Sequence, residues 1–367
     1  MTDSYLRGYS DSFVGQRRRL PRYLVCALEG YFPVLVRLGA NDLAVIFRSG
    51  ATHIGISGTV ATSISHDGGI SWSDPVQVTP RWNDDRNPAM GLSVGGELIA
   101  AIWRARLHSY QPDPGGNGLQ YQESTPNSNS QTATFITRSA DLGQSWTQAE
   151  PYESVKLSLA SPYGRIIALP DGTLLMGLYG AARQPVAGVR DTAILVRSYD
   201  GGISWCDESL VAQGYNETSY LYLPSGQMLA ASRSESGYIA TLTSDDGGYH
   251  WAVPKRVTRD GEHPADLTLL QSGRILLTFG RRIRPLGAGL LLSDSNGQTW
   301  DTAHEVLLAG DGIMNSDLGY PSTVQLADGH IVTVMYYASG SEMSQQFGGW
   351  GDISCQAIHY AEKDIAG

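Results

Sequence analysis

Apolar and polar residues alternate with a period of two along most of the chain, in short runs such as TAILVR (192–197) and YIATLT (238–243) set between glycine-rich turns. A period of two sends successive side chains to opposite faces of an extended backbone, so these runs predict β-strands with one buried face. No stretch of helical periodicity intervenes.

Two repeats organise the runs. One is a pair of strands around a tight turn: FPVLVRLGANDLAVIFR (32–48), NPAMGLSVGGELIAAIWR (87–104), YGRIIALPDGTLLMGLYG (163–180), ETSYLYLPSGQMLAASR (217–233), PADLTLLQSGRILLTFGR (264–281) and YPSTVQLADGHIVTVMYY (320–337). The other is a box, S-x-D-x-G-x-x-W, in SHDGGISW (65–72), SADLGQSW (139–146), SYDGGISW (198–205) and SDDGGYHW (244–251), with a fifth copy, SDSNGQTW (293–300), carrying Ser295 in place of Asp. The box reads as a hairpin turn: Asp accepts from nearby backbone N–H groups, Gly takes a positive φ, and Trp packs back on the sheet. Its aspartates are therefore read as structural. Trp72, Trp146, Trp205 and Trp251 are expected to be largely buried, each anchoring its own blade.

Two strands from each pair and two around each box make a four-stranded blade. Repetition at roughly 50-residue spacing without helices predicts an all-β, six-bladed propeller of antiparallel blades. The sixth copy has no box, so YLVCALE (23–29) is expected to supply its outermost strand and close the ring. The expected organisation is an N-terminal arm over 1–21 and one propeller over 22–367.

Composition narrows the function. The chain has 26 basic and 36 acidic residues, a net charge of −10, which disfavours nucleic acid or an anionic membrane as partner but leaves room for a local basic pocket. No apolar run reaches the length of a membrane span, and MTDSYLRGYSDSFVGQRRRLPRYL lacks the apolar core of a signal peptide, which suggests a cytoplasmic protein unless the sequence is trimmed. Cys26, Cys206 and Cys355 have no CxxC spacing and read as reduced, packed thiols. With no strand-bound GxGxxG, Walker motif or HExxH, no cofactor or metal is expected.

In a propeller the first strand of each blade lines the axis. The residues opening the six copies are Phe32, Asn87, Tyr163, Glu217, Pro264 and Tyr320, preceded by Tyr31, Arg86, Pro162, Asn216, His263 and Gly319. A mouth ringed by Arg, Glu, His and several Tyr suits a sugar. Glu217 and Tyr320 fall on equivalent positions of two blades in this alignment.

Boxes and strand pairs together resemble the sialidase (neuraminidase) superfamily over about residues 22–362. NETSYLYLPSGQMLAASR is similar to that family's fourth-blade motif, which implies a base at Glu217 and a carboxylate-binding arginine at Arg233. YPSTVQLADGHIVTVMYY is similar to its sixth-blade motif, which implies a nucleophile at Tyr320. The chemistry explains the pair: a 2-keto sugar acid repels an anionic nucleophile, whereas a neutral phenol deprotonated by Glu avoids that repulsion. Arginines would hold the carboxylate bidentately.

The sequence also departs from the family. Sialidases open blade one with Arg-Ile-Pro, and this chain has Tyr31-Phe32-Pro33; Arg48 and Arg86 are the candidate replacements. The third arginine falls within RRIRPLGAG, where Arg281, Arg282 and Arg284 compete. The family's acid/base Asp lies in a loop that here reads SGATHIGISGT (49–59), without a carboxylate. His53 is its candidate proton donor, suited to work near neutral pH, with Asp84 and Asp85 as rivals. His263, Tyr31 and Tyr163 are expected to line the sugar. The leading expectation is an exo-acting glycosidase releasing a terminal acidic sugar, sialic acid or a related ulosonic acid. The alternatives are a His/Tyr-based glycosidase or lyase on uronic-acid-linked sugars, and a catalytically silent glycan-binding propeller.

Overall fold

The computed structural model describes residues 15–55, 57–80, 83–105, 110–112, 119–121, 133–310, 313–339 and 352–366. It is all-β, with six sheets arranged as the blades of a propeller. Blade I comprises Tyr31–Arg37, Leu43–Ser49, Thr59–Ser65 and Val76–Gln77, hydrogen-bonded in that order. Blade II has Asp84–Leu92, Leu98–Ala105, Ala133–Ser139 and Glu150–Tyr152, and blade IV has Tyr215–Tyr222, Met228–Ser234, Ile239–Ser244 and Lys255–Arg256. Blade V has Glu262–Leu269, Ile275–Arg281, Gly287–Ser293 and Val306–Ala309, with Gln16–Arg17 adding a short parallel edge. Residues 1–14 of the expected arm lie outside the described residues.

Blade VI closes the ring. Its strands Ile313–Gln325, His330–Ser339 and Asp352–Ala361 are completed by Arg22–Ala27, which pairs antiparallel with Asp352–Ala361. Closure by a strand from the other end of the chain leaves no gap between first and last blade, and places Cys26 opposite Cys355, both buried free thiols.

Blade III differs from the continuous inner strand expected of YGRIIALP. That strand is broken into Ser161–Pro162, Gly164–Arg165 and Ile167–Ala168, and Gly164–Arg165 pairs with the inner strand of blade II instead. The detour needs a glycine on the neighbour, because a Cβ on Gly91 would sit 2.1 Å from the Ile166 carbonyl oxygen. It also carries Arg165 to the axis, where its guanidinium donates to Asp266 at 3.0 Å; Asp266 accepts as well from Ser219 Oγ and the Thr323 N–H.

The core is divided into six apolar clusters, each between two neighbouring blades, and a seventh of aromatic residues on the axis. The box tryptophans depart from expectation in what they anchor. All five keep only a minor part of their surface exposed, and each packs on the cluster shared with the preceding blade: Trp72 on the cluster that holds Val332 and Val334 of blade VI, Trp205 on the one that holds Ile99 and Ala101 of blade II. The box turn sets this position. Asp200 accepts from the Ile203 and Ser204 N–H groups, Ser198 Oγ accepts from the Gly202 N–H, and Trp205 Nε1 donates to the Gly202 carbonyl at 3.3 Å. A Cβ on Gly202 would lie 2.5 Å from Ile99 of the previous blade, so the box is a clasp between blades.

Trp205→Ala is expected to cost about 2–3 kcal/mol, below the 3–5 of a fully buried aromatic because part of the ring is already in water. A urea melt showing less than 1 kcal/mol would contradict the clasp. The aspartates of the boxes add a pH dependence. Hydrogen bonds, first from the Ser145 and Ser204 hydroxyls and then from backbone N–H groups, hold Asp141 and Asp200 at about 2. A carboxyl depressed on folding stabilises the fold above its unfolded value of about 3.9, and loses that contribution as pH falls toward the folded value. Urea midpoints should therefore drop between about pH 4 and 2, and drop less in Asp141→Asn; an equal drop in that variant would contradict the assignment.

Candidate active site

Five blades share one irregularity that builds the site. In the ladder between first and second strands, two residues of the inner strand oppose a single residue of its partner: Phe32-Pro33, Asn87-Pro88, Asn216-Glu217, His263-Pro264 and Tyr320-Pro321. Such a bulge turns side chains out of the pleat, here toward the axis at one end of the propeller. Proline suits the second bulge position because the N–H there has no ladder partner. In blade IV that position is Glu217, whose N–H is bonded by Asn216 Oδ1 at 2.8 Å. Phe32, Asn87 and Tyr320 take positive φ of 55°, 45° and 50°, strained values for side-chain-bearing residues.

The bulges correct the register. Glu217 occupies the place of Pro321, one residue beyond the place of Tyr320, so the two are not equivalent positions. The bulge nevertheless brings them together: the Tyr320 hydroxyl donates to Glu217 Oε1, while Arg233 donates to Glu217 Oε2 at 2.6 Å. Burial and then the Glu217 charge push the Tyr320 hydroxyl well above the usual phenol value, with Arg233 and Arg282 pulling the other way. The Tyr320 ring lies within an aromatic cage, 4.8 Å from Phe32, 5.9 Å from Tyr336 and 6.0 Å from Tyr163 between centroids.

The arginines divide by register. Arg233 stands opposite the blade IV bulge, whereas Arg48 and Arg281 lie one residue farther along their strands, paired with Tyr31 and Glu262. A shift of one residue reverses the face of a strand. Arg48 is accordingly buried, bridging to Asp84 at 2.7 Å and donating to the Thr52 and Gly55 carbonyls, which fixes the loop that carries His53. Arg281 is buried with Glu262 and Glu305. Neither is placed to meet a substrate. Arg86 bridges to Asp84 at 2.8 Å and lies over the Trp103 ring, and Arg284 is exposed. Arg282 instead faces the cage, 5.8 Å from the Tyr320 centroid. Arg282 Nε and Nη2 and Arg233 Nε are buried without a hydrogen-bond partner among the described residues, and so is His263 Nδ1. Burial, then the charges of Arg233 and Arg282, push His263 well below its usual value, so it stands in the pocket as a neutral ring.

The rival acids are also relocated. Asp84 and Asp85 lie on the inner strand of blade II, buried, with Asp84 between Arg48 and Arg86 and Asp85 paired twice with Arg104 at 2.7 and 2.9 Å. Both carboxylates are wholly buried in these ion pairs, out of reach of a substrate. His53 lies at the mouth with its ring edge-to-face on Phe32 at 4.8 Å. Tyr31 is buried beside it, its hydroxyl pushed up to about 12 by burial and by the charge of Asp317. Tyr163 is buried and donates to the Ala265 carbonyl at 2.9 Å.

The sequence reading missed Asp317 and Tyr336. Asp317 sits three residues before Tyr320 on a strand of 13 residues, longer than the other inner strands. The Tyr336 hydroxyl donates to it at 2.8 Å, and His53 Nδ1 is 2.9 Å from the same oxygen. A cleft of about 720 Å³ opens beside the cage and shares Asn87 and Tyr179 with it, bounded farther out by Trp103, Val186 and Arg190. Among the described residues, no group of three or more His, Cys, Asp or Glu is placed to hold a metal ion.

The model of the family described as a BNR repeat-like domain matches residues 107–333. A search of curated proteins found no match. Among solved structures, a protein of unknown function from Dyadobacter fermentans is similar with a TM-score of 0.76 and 21% identity, covering 94% of this chain and 99% of that one. The NanB sialidase from Streptococcus pneumoniae has a TM-score of 0.65 and 15% identity, covering 93% and 70%. An intramolecular trans-sialidase from Ruminococcus gnavus has a TM-score of 0.65 and 13% identity, covering 94% and 97%. Identities this low establish a shared sialidase-like propeller fold.

Proposed function

The chain belongs to the BNR repeat-like family, and from that premise we propose that it is an exo-acting glycoside hydrolase that releases a terminal acidic sugar through Tyr320. The observation that carries the reading is the Tyr320 hydroxyl bonded to Glu217 inside a cage that also holds Arg233 and Arg282. A phenol raised by burial is a poor nucleophile alone, so it needs a base in contact, and Glu217 accepts its proton as the phenolic oxygen attacks the anomeric carbon. Arg233 and Arg282 present the guanidinium N–H groups that pair with a carboxylate on the sugar. His53 protonates the departing oxygen, then takes a proton from the water that frees the sugar from Tyr320, whose oxygen recovers its proton from Glu217. Two displacements give retention of anomeric configuration.

A second reading has its own support. Tyr31 stands where the resemblance calls for the blade-one arginine, so the anion is held from one side against an aromatic wall, which favours a uronic acid over a larger ulosonic acid. A fluorogenic panel of sialosides, glucuronides and galacturonides with neutral glycosides as controls separates the readings. Turnover of acidic members well above neutral ones is expected. Binding of acidic glycans without turnover of any member would contradict the hydrolase and leave a glycan-binding propeller.

A further inference from the structure

The dyad at the mouth divides the labour between its two residues in a way the blade-one loop alone does not reveal. We infer that Asp317, supported by Tyr336, is a positioning residue that fixes the His53 ring through Nδ1 and turns Nε2 to the substrate. The inference rests on the proposed role of His53 as proton donor, and assigns the group that makes a histidine able to fill it.

Geometry supports the division. His53 Nδ1 is 2.9 Å from Asp317 Oδ1, and the Tyr336 hydroxyl donates to the same oxygen at 2.8 Å. The His53 side chain is 40% exposed and that of Asp317 only 10%, so the ring and not the carboxylate meets the substrate. With Nδ1 committed, Nε2 is the nitrogen left to exchange a proton. Phe32 and Tyr31 confine the ring edge-to-face at 4.8 and 5.7 Å, and the backbone beneath it is tied down by Arg48 through the Thr52 and Gly55 carbonyls. Among the described residues, the charged and titratable groups facing the pair are Tyr31, Tyr336, Arg282 and Arg48.

Asp317 is itself unfit to be the acid. Burial raises its carboxyl, but hydrogen bonds from His53 and Tyr336 and the charges of His53 and Arg282 outweigh burial and hold it below the ordinary carboxylate value. A group that stays ionised has no proton to give. An ionised carboxylate only accepts, so Nδ1 carries its proton toward Asp317 and Nε2 is presented outward. The proton leaves Nε2 for the glycosidic oxygen in the first displacement and returns from water in the second, with Asp317 ionised throughout.

The test compares wild type with Asp317→Asn and Tyr336→Phe, following the His53 ring nitrogens by NMR and measuring kcat/KM on substrates of graded leaving group. In the parent the His53 Nδ1 proton, held against Asp317, should exchange slowly with water, and in Asp317→Asn that protected signal should be lost. Turnover of a poor leaving group should fall about 10–10³-fold, with little change for nitrophenyl glycosides that need no protonation. Tyr336→Phe leaves the pair intact and should keep the signal. An Nδ1 proton equally protected in folded Asp317→Asn overturns the inference whatever the activity. Loss of the signal together with full activity in His53→Ala also overturns it, and locates the failure in the role given to His53.

Discussion

Tyr320→Phe should abolish turnover, with kcat/KM falling by about 10³–10⁶-fold, while the protein stays folded. The substitution removes one hydroxyl from a ring held by Phe32, Tyr163 and Tyr336, so the packing of the cage is retained. What is lost is the atom that attacks and the proton that Glu217 accepts. Glu217 keeps its bond from Arg233, so its charge is still paired. The variant should therefore bind acidic sugars nearly as well as the parent, and affinity measured by calorimetry beside turnover checks both halves. Activity within tenfold of the parent would remove Tyr320 from the chemistry.

His53→Ala should lower turnover of natural-type glycosides by about 10²–10⁴-fold, the usual worth of a positioned acid. The loss should shrink on nitrophenyl glycosides, whose leaving groups depart without a proton. Asp84→Ala and Asp85→Ala provide the contrast. Removing Asp84 takes a shared carboxylate from two guanidiniums, Arg48 and Arg86, and breaking a buried pair costs about 3–5 kcal/mol. These variants should be damaged in stability, with no dependence on leaving group. Full activity in His53→Ala beside a leaving-group dependence in either Asp variant would return the acid to blade II.

The architecture was legible because it is written in local patterns: alternation, turn residues and a box whose hydrogen bonds all fall within five residues. Even the bulges left a trace in FP, NP, HP and YP at the heads of four inner strands, and Glu217 is conspicuous as the residue that replaces proline in a fifth. The register across a bulge was not legible, because one inserted residue leaves no mark in composition and reverses the face of everything beside it. That single shift separates Arg233, which reaches Glu217, from Arg48 and Arg281, which do not reach the cage. The partners of Arg48 come from another blade, and Asp317 meets His53 across 264 residues of chain. Asp317 lies before Tyr320 and outside both repeats, and only the unusual length of the blade VI strand reveals it as part of the site.

The central claim is that Tyr320 forms a bond to an acidic sugar. It is tested most directly by incubating the protein with a fluorinated glycosyl fluoride of the best acidic substrate, in which the second displacement is slowed, and measuring intact mass. The account predicts a gain of one glycosyl unit that maps by peptide sequencing to Tyr320, and no gain in Tyr320→Phe. Turnover of the parent substrate with inversion of configuration, or an adduct on another residue, would contradict it.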